Sequence, residues 1–189
     1  GSFAEPATST DETGEAQVIF TTSATAGTAQ VVSAQVAGVR GDSEEFTVLG
    51  APGARTDRPA ENSGPGDPWH LPFEAVQHIP AGGGLLVNDD LGYPLATISS
   101  FGADDLGGTL TAFAAGSRVS PLPGHSSGEL TVHADGSVEI ATPAGFTGEF
   151  TFRYRIVNSA GSSDARATIA VGERPVATGD AYPHLIVGN

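Results

Sequence analysis

The sequence contains no cysteine, no methionine and no lysine, so its eight positive charges are all arginine. Without cysteine the chain has no disulfide framework, no thiolate metal site and no cysteine nucleophile. Its 22 acidic residues give a formal net charge of −14, which opposes encounter with nucleic acid or an anionic membrane. No apolar run approaches the ~18 residues that a membrane-spanning helix requires. We therefore expect neither nucleic-acid binding nor membrane insertion.

A helical pattern is also missing. No stretch of about a dozen residues has apolar positions at helical spacing without an interrupting Gly or Pro. The chain instead has 26 Gly, 13 Pro and short alternating segments bounded by turn residues, which is typical of an all-β protein. The predicted strands are 15–23, 27–36, 44–49, 73–79, 84–88, 95–101, 108–113, 128–134, 137–141, 149–158 and 165–171.

The strand predicted at 149–158 has the clearest alternation. Phe150, Phe152, Tyr154 and Ile156 share one face, whereas the two arginines of the strand share the other. Because a buried guanidinium without a partner is costly, the aromatic face is predicted to point into the core.

The domain organisation follows from a Pro- and Gly-rich stretch. Residues 51–65 contain almost no large apolar residue, which is typical of a linker or a long exposed connection. The strands within 1–50 are too few to enclose a core alone and predict a small additional β segment. Residues 66–172 carry the other predicted strands, including a hairpin at Asp135-Gly136, and are predicted to fold alone.

Three motifs follow one another in this larger part. They read LVND at 86–89, HADG with PAGFTG at 133–148, and FTFRYRIV at 150–157. In this order they resemble the boxes of the tandem cadherin-like, immunoglobulin-like repeats of bacterial surface and secreted proteins, over residues 66–172. The resemblance implies an antiparallel immunoglobulin-like or cadherin-like β-sandwich and an extracellular or cell-surface location.

The two ends resemble parts of further modules. Residues 1–50 resemble the C-terminal strands of an invasin-type bacterial immunoglobulin-like domain. Residues 173–189 are interpreted as a linker and the start of the next repeat, because DAY at 180–182 echoes DPW at 67–69. Trp69, next to the predicted linker, is the candidate for an inter-domain contact.

The resemblance also raises a Ca²⁺ site, since an acidic loop in such repeats can hold this hard, oxygen-preferring cation. Here the loop reads NDDLGYP at 88–94, so the later acids of the family's pattern are missing. The remaining candidate ligands are Asp89, Asp90, Asp104 and Asp105, and nothing in the sequence brings them together. We expect no cofactor, and interpret the start of the loop as a solvated turn whose side chains bond their own backbone.

No catalytic pattern is recognisable. The sequence has no G-x-S-x-G motif, and Ser126 beside His125 is an adjacency within a Pro/Gly loop. None of the five histidines has the spacing of a metal site. The integrin tripeptide RGD at 40–42 is interpreted as ordinary turn chemistry. We expect a protein that is not an enzyme.

The leading functional hypothesis is a structural spacer or adhesin-stalk module, whose partners are neighbouring modules of the same chain. The first alternative is a carbohydrate- or ligand-binding module for a surface glycan or protein, with Trp69, Tyr93, Phe101 and Phe113 as an aromatic platform. Exposed aromatics favour this alternative, and buried aromatics favour the spacer. The second alternative is a filament subunit, in which the half-domain at the front and residues 182–187 complete other copies of the chain by strand addition.

Overall fold

The computed structural model describes residues 2–3, 11–15, 18–22, 25–36, 39–58 and 67–173. The strands are β1 Ser2–Phe3, β2 Phe20–Thr21, β3 Ala29–Gln30, β4 Ser33–Val36, β5 Val39–Asp42, β6 Phe46–Thr47, β7 His70–Leu71, β8 Val76–Ile79, β9 Thr97–Gly102, β10 Phe113–Ala114, β11 Arg118–Val119, β12 Glu129–Val132, β13 Val138–Ala141, β14 Gly148–Asn158 and β15 Gly161–Val171. The helices of this described part are two short 3-10 turns, η1 Ala81–Gly83 and η2 Asp104–Leu106, neither of them long enough to cross a membrane. The all-β prediction is confirmed. The predicted start of a further repeat falls in 174–189, outside the described residues.

Two larger sheets are formed by residues 67–173, which we call the sheet body. One sheet has the strand order β10-β9-β14-β15-β7 and the other has the order β11-β12-β13-β8. All pairings within them are antiparallel except that of β15 with β7. Both sheets contribute to one core, and burying each large side chain in it contributes about 1.5–3 kcal/mol. The largest fully buried side chains are those of Tyr154, Phe101, Phe152, Leu71, Ile79, Leu85, Ile98, Leu122, Leu130, Ile156, Ile169 and Val132.

The long pair β14–β15 lies within the five-stranded sheet. Phe152 is opposite Ala167 and Tyr154 is opposite Ala165, so each ring faces a small neighbour across the strands. Both aromatic side chains are fully buried, whereas the side chain of Arg153 between them is 49% exposed. The register predicted from the alternation is therefore confirmed.

The predicted hairpin at Asp135-Gly136 joins β12 to β13. The His133 N–H donates to the Ser137 carbonyl oxygen at 3.0 Å, and the Asp135 side chain accepts the Ser137 N–H at 3.0 Å. Gly136 has a φ of +85°, a left-handed conformation that glycine adopts without steric cost. This prediction is also confirmed.

Two predicted strands are replaced by loops. Residues 84–88 and most of 108–113 form turns in the structure. At Gly84 close packing is the reason, because a Cβ there would collide with the backbone oxygen of Gly136. Leu85 donates its N–H to that same oxygen at 2.9 Å and is fully buried. The apolar residues that resemble a strand thus belong to a turn that places Leu85 in the core. Strand β7 was not predicted, because a strand of two residues is too short to show an alternating pattern.

The stretch predicted as an exposed linker contacts the sheet body over its described part. We call residues 50–58 the strap. Pro52 and Asp57 within it are buried. The bridges between strap and body join Gly50 to Tyr93, Gly53 to Asp90 and Asp57 to Ala167. A Pro- and Gly-rich segment has few side chains to keep its backbone away from a sheet, and here the backbone finds hydrogen-bond partners.

The strap also covers an edge of β15. The Asp57 N–H donates to the Arg166 carbonyl oxygen, and the Thr168 N–H donates to the Asp57 carbonyl oxygen, both at 2.9 Å. Further along the same edge, the Ala170 N–H donates to the Trp69 carbonyl oxygen at 2.9 Å. Pairing an edge in this way satisfies backbone groups that would otherwise be open to another chain.

The N-terminal part forms three two-stranded pairs, β1–β2, β3–β6 and β4–β5. Phe20 and Phe46 meet edge to face with their ring centroids 6.2 Å apart. Before the strap, none of the side chains whose burial is described is buried. This agrees with the expectation that these strands do not enclose a core by themselves. Their likeness to an invasin-type domain stays a prediction.

Candidate functional site: Tyr154 between two carboxylates

The candidate site lies where β14, the strap and the loop after η1 meet. The alternation of β14 points Tyr154 inward, and its side chain is fully buried. The strap brings Asp57 to the Tyr154 hydroxyl, and the loop after η1 brings Asp89. Three segments that are distant in sequence therefore converge on one phenol oxygen.

The Tyr154 hydroxyl is surrounded by oxygen atoms. From the strap, Asp57 Oδ2 lies 2.8 Å away and the Arg55 carbonyl oxygen 2.9 Å away. From the loop, Asp89 Oδ2 and Oδ1 lie 3.1 and 3.2 Å away, and the Leu85 carbonyl oxygen 3.3 Å away. A tyrosine has one proton to donate, so it cannot donate to all of these acceptors at once.

The electrostatics of the site favour protonated groups. Burial raises the pKa of Asp57 to about 7, and the negative charge of Asp89 adds to this rise. Burial also raises the pKa of Asp89, although hydrogen bonds from the Arg55 N–H and from Tyr154 oppose the rise. The pKa of Tyr154 is raised by burial and by both carboxylates, so its hydroxyl stays protonated. The arrangement is suited to holding a shared proton.

The loop after η1 is fastened to the strap. Asp89 Oδ1 accepts the Arg55 N–H at 2.6 Å, and the Asn88 Nδ2 donates to the Thr56 carbonyl oxygen at 3.2 Å. The segment is a turn with Asn88 exposed, as interpreted from the sequence, but the predicted local side-chain bonds are wrong at these two residues. Their amide and carboxylate reach the backbone of the strap because the strap runs beside the loop.

A small open pocket of about 190 Å³ borders the cluster. Asp57, Arg58, Trp69 and Asn88 are among the residues that line it. Asp57 therefore borders an open pocket although the residue is only 5% exposed.

The four aromatic residues considered as a glycan platform do not form an exposed row. Phe101 is fully buried and Trp69 is 6% exposed, both within the core of the sheet body. Phe113 is partly buried, with its ring centroid 5.5 Å from that of Phe101, whereas Tyr93 is 42% exposed. The candidate inter-domain residue Trp69 is thus a core residue that also lines the pocket beside Asp57.

The four candidate Ca²⁺ ligands lie in two places. Asp89 and Asp90 are in the loop after η1, where Asp89 contacts Tyr154, whereas Asp104 and Asp105 are in η2. Asp104 pairs with Arg166 at 2.9 Å, and Asp105 Oδ2 accepts the Thr151 N–H at 2.7 Å. Among the described residues, no group of three or more acidic or histidine side chains is placed to hold a metal ion. The expectation of no cofactor stays a prediction.

The RGD tripeptide at 40–42 lies in strand β5, which differs from the turn predicted for it. Arg40 and Asp42 point to the same side of the strand, and their side chains pair at 3.0 Å. The Arg40 guanidinium also donates to Ser33 Oγ at 2.8 Å across the β4–β5 pair. Both functional side chains of the tripeptide are thus used within the hairpin.

A second concave region lies on the outer face of the four-stranded sheet. Its volume is about 460 Å³, and its lining includes Val76, His78, Arg118, Glu129 and Glu139. The Arg118 and Glu129 side chains are paired with each other. This surface combines charged side chains with the exposed side chain of Val76, and its residues belong to β8, β11, β12 and β13.

Sequence reasoning missed Asp57 and the role of the Tyr154 hydroxyl. Asp57 stands in a segment without periodicity, where an acidic residue is normally solvated. The available signal was chemical, because a tyrosine on the buried face of a strand needs a partner for its hydroxyl. Comparisons with known proteins found no matching family model, no matching curated protein and no matching solved structure.

Proposed function

We propose that the chain is a structural spacer or adhesin-stalk module of a modular extracellular bacterial protein, with no chemistry of its own. In this proposal the sheet body is an immunoglobulin-like, cadherin-like β-sandwich. The two sheets with a shared core support that description, and so do the motifs at 86–89, 133–148 and 150–157. The observation that carries the functional proposal is the docked strap.

A stalk needs connections that transmit orientation. A flexible Gly- or Ser-rich linker leaves neighbouring units free to reorient, because its ends behave as a random coil. The strap here is bridged to the sheet body at Gly50, Gly53 and Asp57. It directly follows the N-terminal strands, so its docking limits the freedom of those strands relative to the body. This is the property that a spacer requires.

The burial of the aromatic residues also favours the spacer over the glycan-binding alternative. A sugar platform needs ring faces open to solvent, and Phe101 and Trp69 lie in the core. The observation that favours ligand binding is the 460 Å³ concavity on the outer face of the four-stranded sheet. Its lining contains no Phe, Tyr or Trp ring and is bordered by charged side chains, among them Arg118 and Glu139.

The test is a distance measurement between two spin labels. Because the chain has no cysteine, Glu45→Cys and Ser159→Cys create two unique attachment sites at exposed positions, one in the N-terminal part and one in the sheet body. We expect a narrow distance distribution at pH 5.5. The pair Gln77→Cys and Ser159→Cys, both within the sheet body, sets the reference width. A distribution several times broader than this reference would overturn the spacer proposal.

A further inference from the structure

We call Tyr154, Asp57 and Asp89 the Tyr154 cluster. It has more hydrogen-bond acceptors than protons to donate. If both carboxyls are ionised, the Tyr154 hydroxyl donates to one and turns its lone pairs toward the other. Both carboxyls are at hydrogen-bonding distance from the Tyr154 hydroxyl oxygen, Asp57 Oδ2 at 2.8 Å and Asp89 Oδ2 at 3.1 Å. One additional proton resolves the conflict, since a protonated carboxyl donates to Tyr154 and Tyr154 donates to the remaining carboxylate.

Asp57 is the better carrier of that proton. It is 5% exposed, so its charged form has lost most of its contact with water. Asp89 accepts the Arg55 N–H at 2.6 Å, a bond that stabilises its ionised form. The raised pKa of Asp57 agrees with this assignment.

The arginine on the β15 edge beside Asp57 is paired with another carboxylate. Arg166 on β15 presents its carbonyl to Asp57, while its guanidinium pairs with Asp104 at 2.9 Å. The groups around Asp57 include Tyr154 from β14, Asp89 and Asn88 from the loop after η1, Arg58 from the strap and Trp69 from the segment before β7, while Arg55 of the strap acts on Asp89.

We propose that the strap is a pH-dependent latch, in which a proton shared by Asp57, Tyr154 and Asp89 holds residues 50–58 on the sheet body. When the proton leaves, two negative charges face one hydroxyl and docking weakens. The inference uses the same docked strap as the proposed function, but it does not depend on the spacer role.

The direction of the pH dependence follows from the two states of Asp57. In the docked strap its pKa is raised to about 7, and in an undocked strap it returns to the ordinary value of 3.8. Docking is therefore strongest below about pH 4. Between these two values it weakens by up to about tenfold per pH unit, and above about pH 7 it is constant.

Hydrogen exchange and carboxyl NMR on the full chain test the latch, in buffer with EDTA at pH 5, 6, 7 and 8. The reporters are the amides of Arg55 and Asp57, which donate to Asp89 and Arg166, with the amides of β12 and β13 as references. We expect the protection of the strap amides, relative to the references, to fall at least tenfold from pH 5 to pH 7. The Asp57 carboxyl ¹³C shift should titrate with a midpoint near 7.

Two variants separate the latch from a general pH effect. Asp57→Asn has the same shape and keeps a donor without a titrating group at this position, so its strap protection, relative to the references, should change with pH much less than that of the wild type. Asp164→Asn removes a carboxylate on β15 that pairs with Arg155 at 2.7 Å, and it should keep the wild-type pH profile.

An Asp57 midpoint below about pH 5 would overturn the latch, as would equal pH slopes in the wild type and Asp57→Asn. Strap protection that responds to added Ca²⁺ and not to pH would overturn it as well. A pH-independent strap with a narrow spin-label distribution removes the latch and leaves the spacer, whereas a broad distribution at pH 5.5 removes the spacer.

Discussion

The Tyr154 hydroxyl lies 2.8 Å from the Asp57 carboxylate, although 97 residues separate the two in sequence. This contact joins the longest strand pair of the sheet body to a segment whose composition is typical of a linker. The alternation of β14 directs Tyr154 into the core, which places its hydroxyl beneath the strap. Asp57 from the strap and Asp89 from the loop after η1 both contact this hydroxyl.

Replacing Tyr154 with phenylalanine should destabilise the chain. The ring still fills the core and Asp89 keeps the Arg55 N–H, but Asp57 Oδ2 loses its 2.8 Å contact with the hydroxyl inside a buried site. Losing a hydrogen bond at a buried acceptor costs about 1–3 kcal/mol. Urea unfolding at pH 7 measures the loss. Tyr93→Phe, at a ring that is 42% exposed, is the matched control and should change stability by less than about 0.5 kcal/mol. Equal losses in the two variants would contradict the role of the hydroxyl.

The core register predicts opposite outcomes at two adjacent positions of β14. Phe152 is fully buried, so Phe152→Ala should cost roughly 3–5 kcal/mol through lost burial and a cavity. Arg153 is half exposed and lies 3.8 Å from Asp104, so Arg153→Ala should cost under about 1 kcal/mol. Denaturant titration ranks the two variants. If Arg153→Ala were the more damaging, the placement of the core would be wrong.

Two glycines that lie close together in sequence should respond differently to a methyl group. A Cβ on Gly84 would collide with the Gly136 backbone oxygen, whereas a Cβ on Gly82 meets no atom within 4 Å. Gly84→Ala should cost about 1–3 kcal/mol or more because backbone must move, and Gly82→Ala should be close to neutral. Thermal unfolding distinguishes them. Similar melting temperatures of the two variants would contradict the close packing of Gly84 against the Gly136 backbone.

The docked strap changes the expected boundary of the stable unit. A fragment of residues 66–172 lacks the strap, whereas residues 50–172 retain its bonds to Asp90, Arg166 and Thr168. Each such bond contributes about 0.5–1.5 kcal/mol, and the entropy lost in ordering the strap offsets part of the sum, so the longer fragment should be more stable by roughly 1–3 kcal/mol at pH 5. Their urea midpoints provide the comparison. Coincident midpoints would mean that the strap adds nothing to the body.

Several features of the fold follow from local pattern alone. The alternation around Phe152 and Tyr154 decides which face of β14 is buried, because the opposite choice would bury arginine side chains. The Asp135-Gly136 pair decides a turn, because glycine accepts its left-handed conformation there. In both cases the determining interactions lie within a few residues of one another. They are therefore readable without a structure.

The strap and the Tyr154 cluster were decided only by the tertiary structure. A Pro- and Gly-rich segment is compatible with a slack linker and equally with a docked one, because its own residues express no preference. The partners that dock it, at Asp90, Arg166 and Tyr154, lie far away along the chain. Asp57 likewise carries no sequence sign of burial, since its altered environment comes from Asp89 and Tyr154 after folding. By itself the sequence determined which strand faces are apolar and where the chain turns. Folding determined which distant backbone and carboxyl groups share a buried proton, because desolvation exists only once the strap covers the sheet.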